Sequence, residues 1–151
     1  MLKKGVLLPF LKGEFMNNCL FCKIVNKEIP NYTLYEDEVC LAFLDISQAT
    51  YGHALVICKE HYSNLLEVPS KVLEHMMSVA QKIAIAESKL PNVKGFNILN
   101  NCNEVAGQTI HHFHIHIIPR YEEDDLTLKF KENPLSNEAF LELAQKIKEK
   151  Y

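Results

Sequence analysis

A chain of 151 residues, 48% of them hydrophobic, is long enough for one domain with a buried core and short for two. Its 16 basic residues against 19 acidic give a formal charge of −3, which argues against a duplex nucleic-acid binder, since such proteins concentrate basic charge on one face. No apolar run approaches the roughly 20 residues of a membrane helix, and no signal-peptide pattern opens the chain; we expect a soluble, cytoplasmic protein with neither nucleic acid nor membrane as partner.

Residues 1–15 stand apart, because Gly5, Pro9 and Gly13 interrupt their apolar residues. Lys12-Gly13-Glu14 is encodable as a purine-rich ribosome-binding sequence just ahead of Met16. We therefore expect 1–15 to be a non-native or disordered extension and 16–151 to be a single domain. Next, "LFCKIVNKEIP" reads as a short helix closed by Pro30. "YTLYEDEVCLAFLDI" reads as two strands around an acidic turn at 36–38, and "HALVICKEH", after Gly52, as a third strand. From Ser70 to Leu90 the apolar residues Val72, Leu73, Met76, Met77, Ala80, Ile83 and Ala84 fall at helical spacing, ended by Pro91. "GFNILNN" and "HFHIHIIP" supply a fourth and a fifth strand. The last element, 136–150, places Phe140, Leu143, Ala144 and Ile147 on one helical face with lysines in its final turns. Five strands joined mostly by short turns, with one long helix between the third and fourth, predict an α+β domain: a five-stranded antiparallel sheet with the long helix and the C-terminal helix packed on it.

The five cysteines are an odd number and scattered, apart from Cys19 and Cys22, which fits reduced thiols better than a disulfide framework. Cys19-Leu20-Phe21-Cys22 alone is compatible with redox chemistry, a metal or accident, but a redox motif of the thioredoxin kind would follow a strand and open a longer helix. Four of the seven histidines lie within "HHFHIHIIPR". Side chains alternate faces along a strand, so Phe113, Ile115 and Ile117 face a core while His112, His114 and His116 line the other side. A solvated face would be filled as well by Thr, Lys or Glu, without clustering rings that repel when protonated. Two chemistries favour such a row: metal ligation, and attack on phosphorus by a neutral imidazole beside neighbours that clamp the phosphate. His111 and His75 receive no chemical role.

His112-Phe113-His114-Ile115-His116-Ile117-Ile118 resembles the signature of the histidine triad (HIT) superfamily. "LDISQATYGHALVICKEH" is similar to its ribose-binding segment and "AGQTIHHFHIHIIPR" to its phosphate loop and triad, so the likeness spans residues 19–120. The resemblance implies a HIT-like fold and a hydrolase acting on the α-phosphate of nucleoside phosphoramidates or dinucleoside polyphosphates, such as diadenosine tetraphosphate, releasing a nucleoside monophosphate. In that reading His114 is the nucleophile, His116 and His53 contact the phosphate or leaving group, and the carbonyl of His112 fixes the tautomer of His114. The same carry-over makes Asp45 a ribose ligand, sets Ile46 against a purine base, gives a ligand contact to Asn101, with Asn100 and Asn103 as alternatives for that role, and places Gly107, Gln108 and Thr109 at the phosphate, where no metal is needed. It also implies a structural Zn2+ on Cys19, Cys22, His61 and His112, as in bacterial-type members, and a homodimer. Pro119-Arg120 resembles the polyphosphate-hydrolase branch, whereas "LDISQAT" resembles the phosphoramidase branch. Two other readings stay open: a non-catalytic purine-nucleotide-binding regulator, and a metalloprotein whose histidines serve zinc alone.

Overall fold

The computed structural model describes residues 18–151; the extension expected over 1–15 lies outside them. Helix α1 (Leu20–Val25) starts where Cys19 Sγ accepts from the Cys22 backbone N–H, and it buries Phe21, Cys22 and Ile24. Strands β1 (Thr33–Glu36) and β2 (Cys40–Leu44) form a hairpin. Its turn is held by Asp37, whose Oδ1 accepts from the Val39 and Cys40 amides at 2.8 Å each, the backbone-mimicking bond that makes aspartate a turn former. Strand β3 (Ala54–Cys58) is buried along its whole length. After helix α2 (Ser70–Glu87) come β4 (Gly95–Leu99), a short 3-10 turn (Glu104–Ala106), β5 (His114–Arg120) and helix α3 (Asn137–Lys148).

All neighbouring strands are antiparallel, in the order β1-β2-β3-β5-β4. The last strand thus enters between β3 and β4, and the histidine row lies inside the sheet. Pro119 is tolerated in this strand because pairing with β3 ends at Ile117, so its missing N–H breaks no bond on that side. Thr50 Oγ1 donates to its carbonyl instead.

The two faces of the sheet differ. One carries Cys40, Ala42, Val56, Cys58, Phe113, Ile115 and Ile117 against Met76, Val79, Ala80 and Ile83 of α2, the stripe that the helical spacing predicts. The other carries Leu41, Phe43, Leu55 and Ile57 against Phe21 and Ile24 of α1. His75, given no role by sequence, pins α2 to the β1–β2 hairpin, its Nε2 lying 2.6 Å from Asp37 Oδ2.

The C-terminal helix forms where expected, capped by Ser136 Oγ on the Ala139 amide, but it does not pack on the sheet. It buries no residue, and Phe140, Leu141, Leu143 and Ile147 are 46–66% exposed. The reason lies upstream. Arg120 binds both oxygens of Asp124 at 2.8 Å and also Asn97, which fixes the exit from β5, and the chain then runs to 136 without helix or strand. Among the described residues no helix is long and apolar enough to cross a membrane.

Candidate functional site

Period-two alternation puts His114 and His116 on the α1 face of β5, their ring centroids 4.9 Å apart. His112, just before the strand, points its ring to the same side: Phe21 of α1 meets it edge-on at 5.8 Å and His114 at 5.1 Å. The row expected from the sequence is therefore present, but Phe21 wedges it into two groups.

In the first group the Nδ1–H of His114 donates to the carbonyl of His112 at 2.6 Å. That bond fixes the tautomer and leaves Nε2 with a free lone pair. His53, which precedes β3, accepts from the Ala49 amide at Nδ1, 3.2 Å away, so its Nε2 carries the proton and donates to His116 Nδ1 at 3.0 Å. By the same logic His116 offers an N–H at Nε2. Asp45 Oδ2 lies 3.7 Å from His53 Nε2, while its Oδ1 accepts from the Ser47 amide. Burial holds His53, His114 and His116 below the ordinary imidazole value, His116 at about 4, because removing a cation from water costs more than removing a neutral ring. At neutral pH the three imidazoles are uncharged, and His114 carries the unprotonated nitrogen that a nucleophile needs. Next to Asp45 in the chain, Ile46 is 87% exposed.

The loop before the row is built differently from what its sequence suggests. Gln108, expected at the phosphate, is buried, and its side chain is committed within the loop region: Nε2 donates to the carbonyls of Ser63 and Ile110, and Oε1 accepts from the Asn103 amide. It shapes the loop. Gly107 has φ +92° and Asn103 φ +70°, and the Nδ2 of Asn101 reaches the Gly107 carbonyl at 3.4 Å. Thr109 is exposed. Asn100 donates to the carbonyl of His114 at 2.9 Å, a contact that sequence reasoning did not assign; it replaces the ladder bond lost where β4 ends at Leu99. His111 lies 3.4 Å from Glu104 and has no contact with the row.

The second group surrounds the Cys-x-x-Cys turn. Donor atoms of Cys19, Cys22, His61 and His112 all lie within 4.8 Å of one another, with Cys22 Sγ 3.3 Å from His61 Nδ1 and 3.5 Å from His112 Nδ1. Two thiolates and two imidazoles at tetrahedral zinc would sit about 3.6 Å apart, sulfur to nitrogen, given the usual bond lengths. The donor set therefore fits zinc. His112 supports the fit: its Nε2–H donates to the Cys58 carbonyl at 2.7 Å, which turns the Nδ1 lone pair toward the thiols. Burial beside Cys19 pushes the Cys22 thiol up to about 12, so a cation among these groups is what would release its proton.

Comparison with known proteins agrees with this geometry. A fission-yeast (Schizosaccharomyces pombe) adenosine 5'-monophosphoramidase is 36% identical over 134 residues, covering 88% of this chain and 98% of that one. The crystal structure of a HIT family protein from Bacillus anthracis superposes with a TM-score of 0.85 at 44% identity over 89% of this chain and 98% of that one. A zinc-bound histidine triad family protein from Mycobacterium smegmatis does so with a TM-score of 0.70 at 36% identity over 85% and 99%. The family model described as the HIT domain matches residues 26–123, a span that contains the whole histidine row, the Asp45–His53 segment and His61. A chain with this strand order and this row belongs to the HIT domain family.

Proposed function

We propose that the protein is a nucleotide hydrolase that cleaves at the α-phosphorus of nucleoside phosphoramidates or dinucleoside polyphosphates and releases a nucleoside monophosphate. The observation that carries the reading is the His114 Nδ1–H bond to the His112 carbonyl, which keeps a neutral, correctly oriented nucleophile in place without a base to activate it. The Nε2 lone pair of His114 forms a bond to phosphorus. The P–N or P–O bond opposite breaks, its electron pair leaving with the amine or phosphate. In this reading His116 Nε2–H donates a hydrogen bond to the departing group, the bond from His53 holds that ring in place, and water supplies the leaving group's proton. Water then attacks the nucleotidyl-histidine and frees His114 and the monophosphate. Phosphoryl-type transfer is positioning and electrostatics above all, and in this reading Asp45, Ile46, Asn101, Gly107, Gln108 and Thr109 would receive the ribose, purine base and phosphate. The phosphoramidase name of the fission-yeast relative supports the substrate class.

Zinc held by Cys19, Cys22, His61 and His112 would be structural: it would tie α1 to β3 and to the start of β5, and stiffen His112, whose carbonyl orients His114. We also assign a cytoplasmic homodimer. Support for it comes from the edge strand β4, paired on one side only, with Ile98 and Met77 40% and 46% exposed beside it, and from the uncovered apolar face of α3. Turnover of adenosine phosphoramidate and diadenosine tetraphosphate by wild type and His114→Ala tests the enzyme reading. Loss of turnover by about a thousandfold or more is expected, as for removal of a covalent nucleophile; equal rates would leave the nucleotide-binding regulator and the zinc-only protein as the readings that stand.

A further inference from the structure

Helix α2 buries one carboxylate. Glu87, in its last turn, is 7% exposed, and its Oε2 has no hydrogen-bond partner. Among the described residues no lysine, arginine or histidine forms an ion pair with it. Such a group costs stability unless something satisfies it. It forms part of the wall of a cavity of about 450 Å3 on the face of the sheet opposite the histidines, whose other walls include the hydrocarbon of Leu34, Leu44, Ile83 and Leu90 and the rings of Tyr35 and Tyr51. We propose that this cavity binds a small apolar amine, its hydrocarbon or aromatic body between the aliphatic and tyrosine side chains and its ammonium on the Glu87 carboxylate.

The chemistry of the walls selects this class. A buried carboxylate repels phosphates and carboxylates and accepts from a cationic donor, and charge-assisted bonds of that kind are the strong ones. The volume lies within the range of small-ligand pockets. The one lysine on the cavity, Lys82, has its Nζ 4.9 Å above the Tyr35 ring and leaves Glu87 unpaired. Burial pushes the Glu87 carboxyl up to about 7, the behaviour of an acid without a counter-ion, which an ammonium would supply. The carboxyl also lies close to Gly52, the residue before His53. A Cβ at Gly52 would come 3.4 Å from Glu87 Oε1 and 3.1 Å from Pro119 Cγ, and Gly52 has φ +97°, so the turn is tightly seated on this carboxyl. An occupant would report at Gly52, one residue from the histidine pair. The inference does not depend on the proposed hydrolysis.

Phenethylamine is the test probe, titrated into the full chain and followed by amide and ring NMR shifts, with phenethyl alcohol and hydrocinnamate as its neutral and anionic counterparts. Saturable shifts at Gly52, Tyr35 and Tyr51 are expected with the amine in wild type and in His114→Ala alike, and none with the acid. Glu87→Gln should weaken the amine by about tenfold or more, as loss of a charged hydrogen bond does, and leave the alcohol unchanged; a cooperative unfolding transition of that variant confirms its fold. The proposal is overturned if the amine gives no saturable shift, if Glu87→Gln binds it equally, or if the shifts map to the histidine cleft and disappear in His114→Ala.

Discussion

Glu87→Gln also reads out in stability, and there its size can be worked from the fold. Desolvation holds the Glu87 carboxyl at about 7 against an ordinary 4.5, and each pKa unit is worth about 1.4 kcal/mol. The folded state keeps the proton at pH values where the unfolded chain has released it. Stability from this group is therefore complete below about pH 4.5, falls as pH rises, and is lost above about pH 7, by a total on the order of 3 kcal/mol. Glutamine imitates the protonated acid at every pH. Urea unfolding of both proteins at pH 5 and pH 8 should show the variant gaining about 2 to 3 kcal/mol on wild type between the two conditions, whatever constant offset its amide introduces. Parallel pH dependence in the two proteins would refute the claim that this carboxyl is desolvated and unpaired.

The histidines act in the opposite direction. His116 is held at about 4 by burial, so it favours the fold fully above about pH 6.5, and that contribution is lost as pH falls toward 4. His116→Asn should therefore recover on the order of 2 kcal/mol relative to wild type between pH 7 and pH 5 in denaturant titrations, and an unchanged acid limb would contradict the burial argument. Elemental analysis of protein purified without chelator should find about one zinc per chain, and Cys22→Ser should lose both the metal and several degrees of Tm; a metal-free wild type of equal Tm would dismiss the site. Deleting 136–151 removes the uncovered face of α3, and sedimentation at low concentration should then shift from a dimer toward a single chain. A full-length protein that sediments only at 17.4 kDa would rule out the dimer.

Much of this was legible because it is periodic. Alternation along 113–117 separated the core residues from the histidines, and the stripe Met76, Ala80, Ile83 located the buried face of α2. Glu87 stands four residues after Ile83, on the same stripe, and a charged residue at a core position was the signal for a buried acid; reading only apolar residues passes over it. What periodicity does not carry is partnership between distant residues. Cys19 and His112 are 93 positions apart, and the metal set could be named only through resemblance. The insertion of β5 between β3 and β4 belongs to the same kind, since local pattern fixes a strand and leaves its neighbours open. Gln108 was placed at the phosphate only by the resemblance, and what the sequence does not show is that its amide also donates to the half-buried carbonyls of Ser63 and Ile110, groups that need a partner once withdrawn from water. The amphipathic α3 shows the converse: its pattern predicts that the apolar face is covered and cannot say by which chain.

The two groups along the row are joined through one residue whose ring and backbone face different tasks. The His112 ring is fully buried, bonded to Cys58 on one edge and turned to the thiols on the other, while its carbonyl holds Nδ1 of His114. A carbonyl is a weaker orienting partner than a carboxylate, because it fixes the tautomer without stabilising a positive ring. That distinction suits the proposed attack of His114 on phosphorus. With a carboxylate behind it, His114 would be drawn toward imidazolium and lose the lone pair that attacks; with a carbonyl and a desolvated pocket it stays neutral. The carboxylate in the cluster is placed one step away, 3.7 Å from His53, where positive charge is wanted when a phosphate arrives. In the proposed reaction the attacking imidazole and the phosphate-side imidazoles are thus separated by the oxygen each group faces, the carbonyl behind His114 and the carboxylate beside His53, a division produced by alternation along β5 and by the turn that precedes β3.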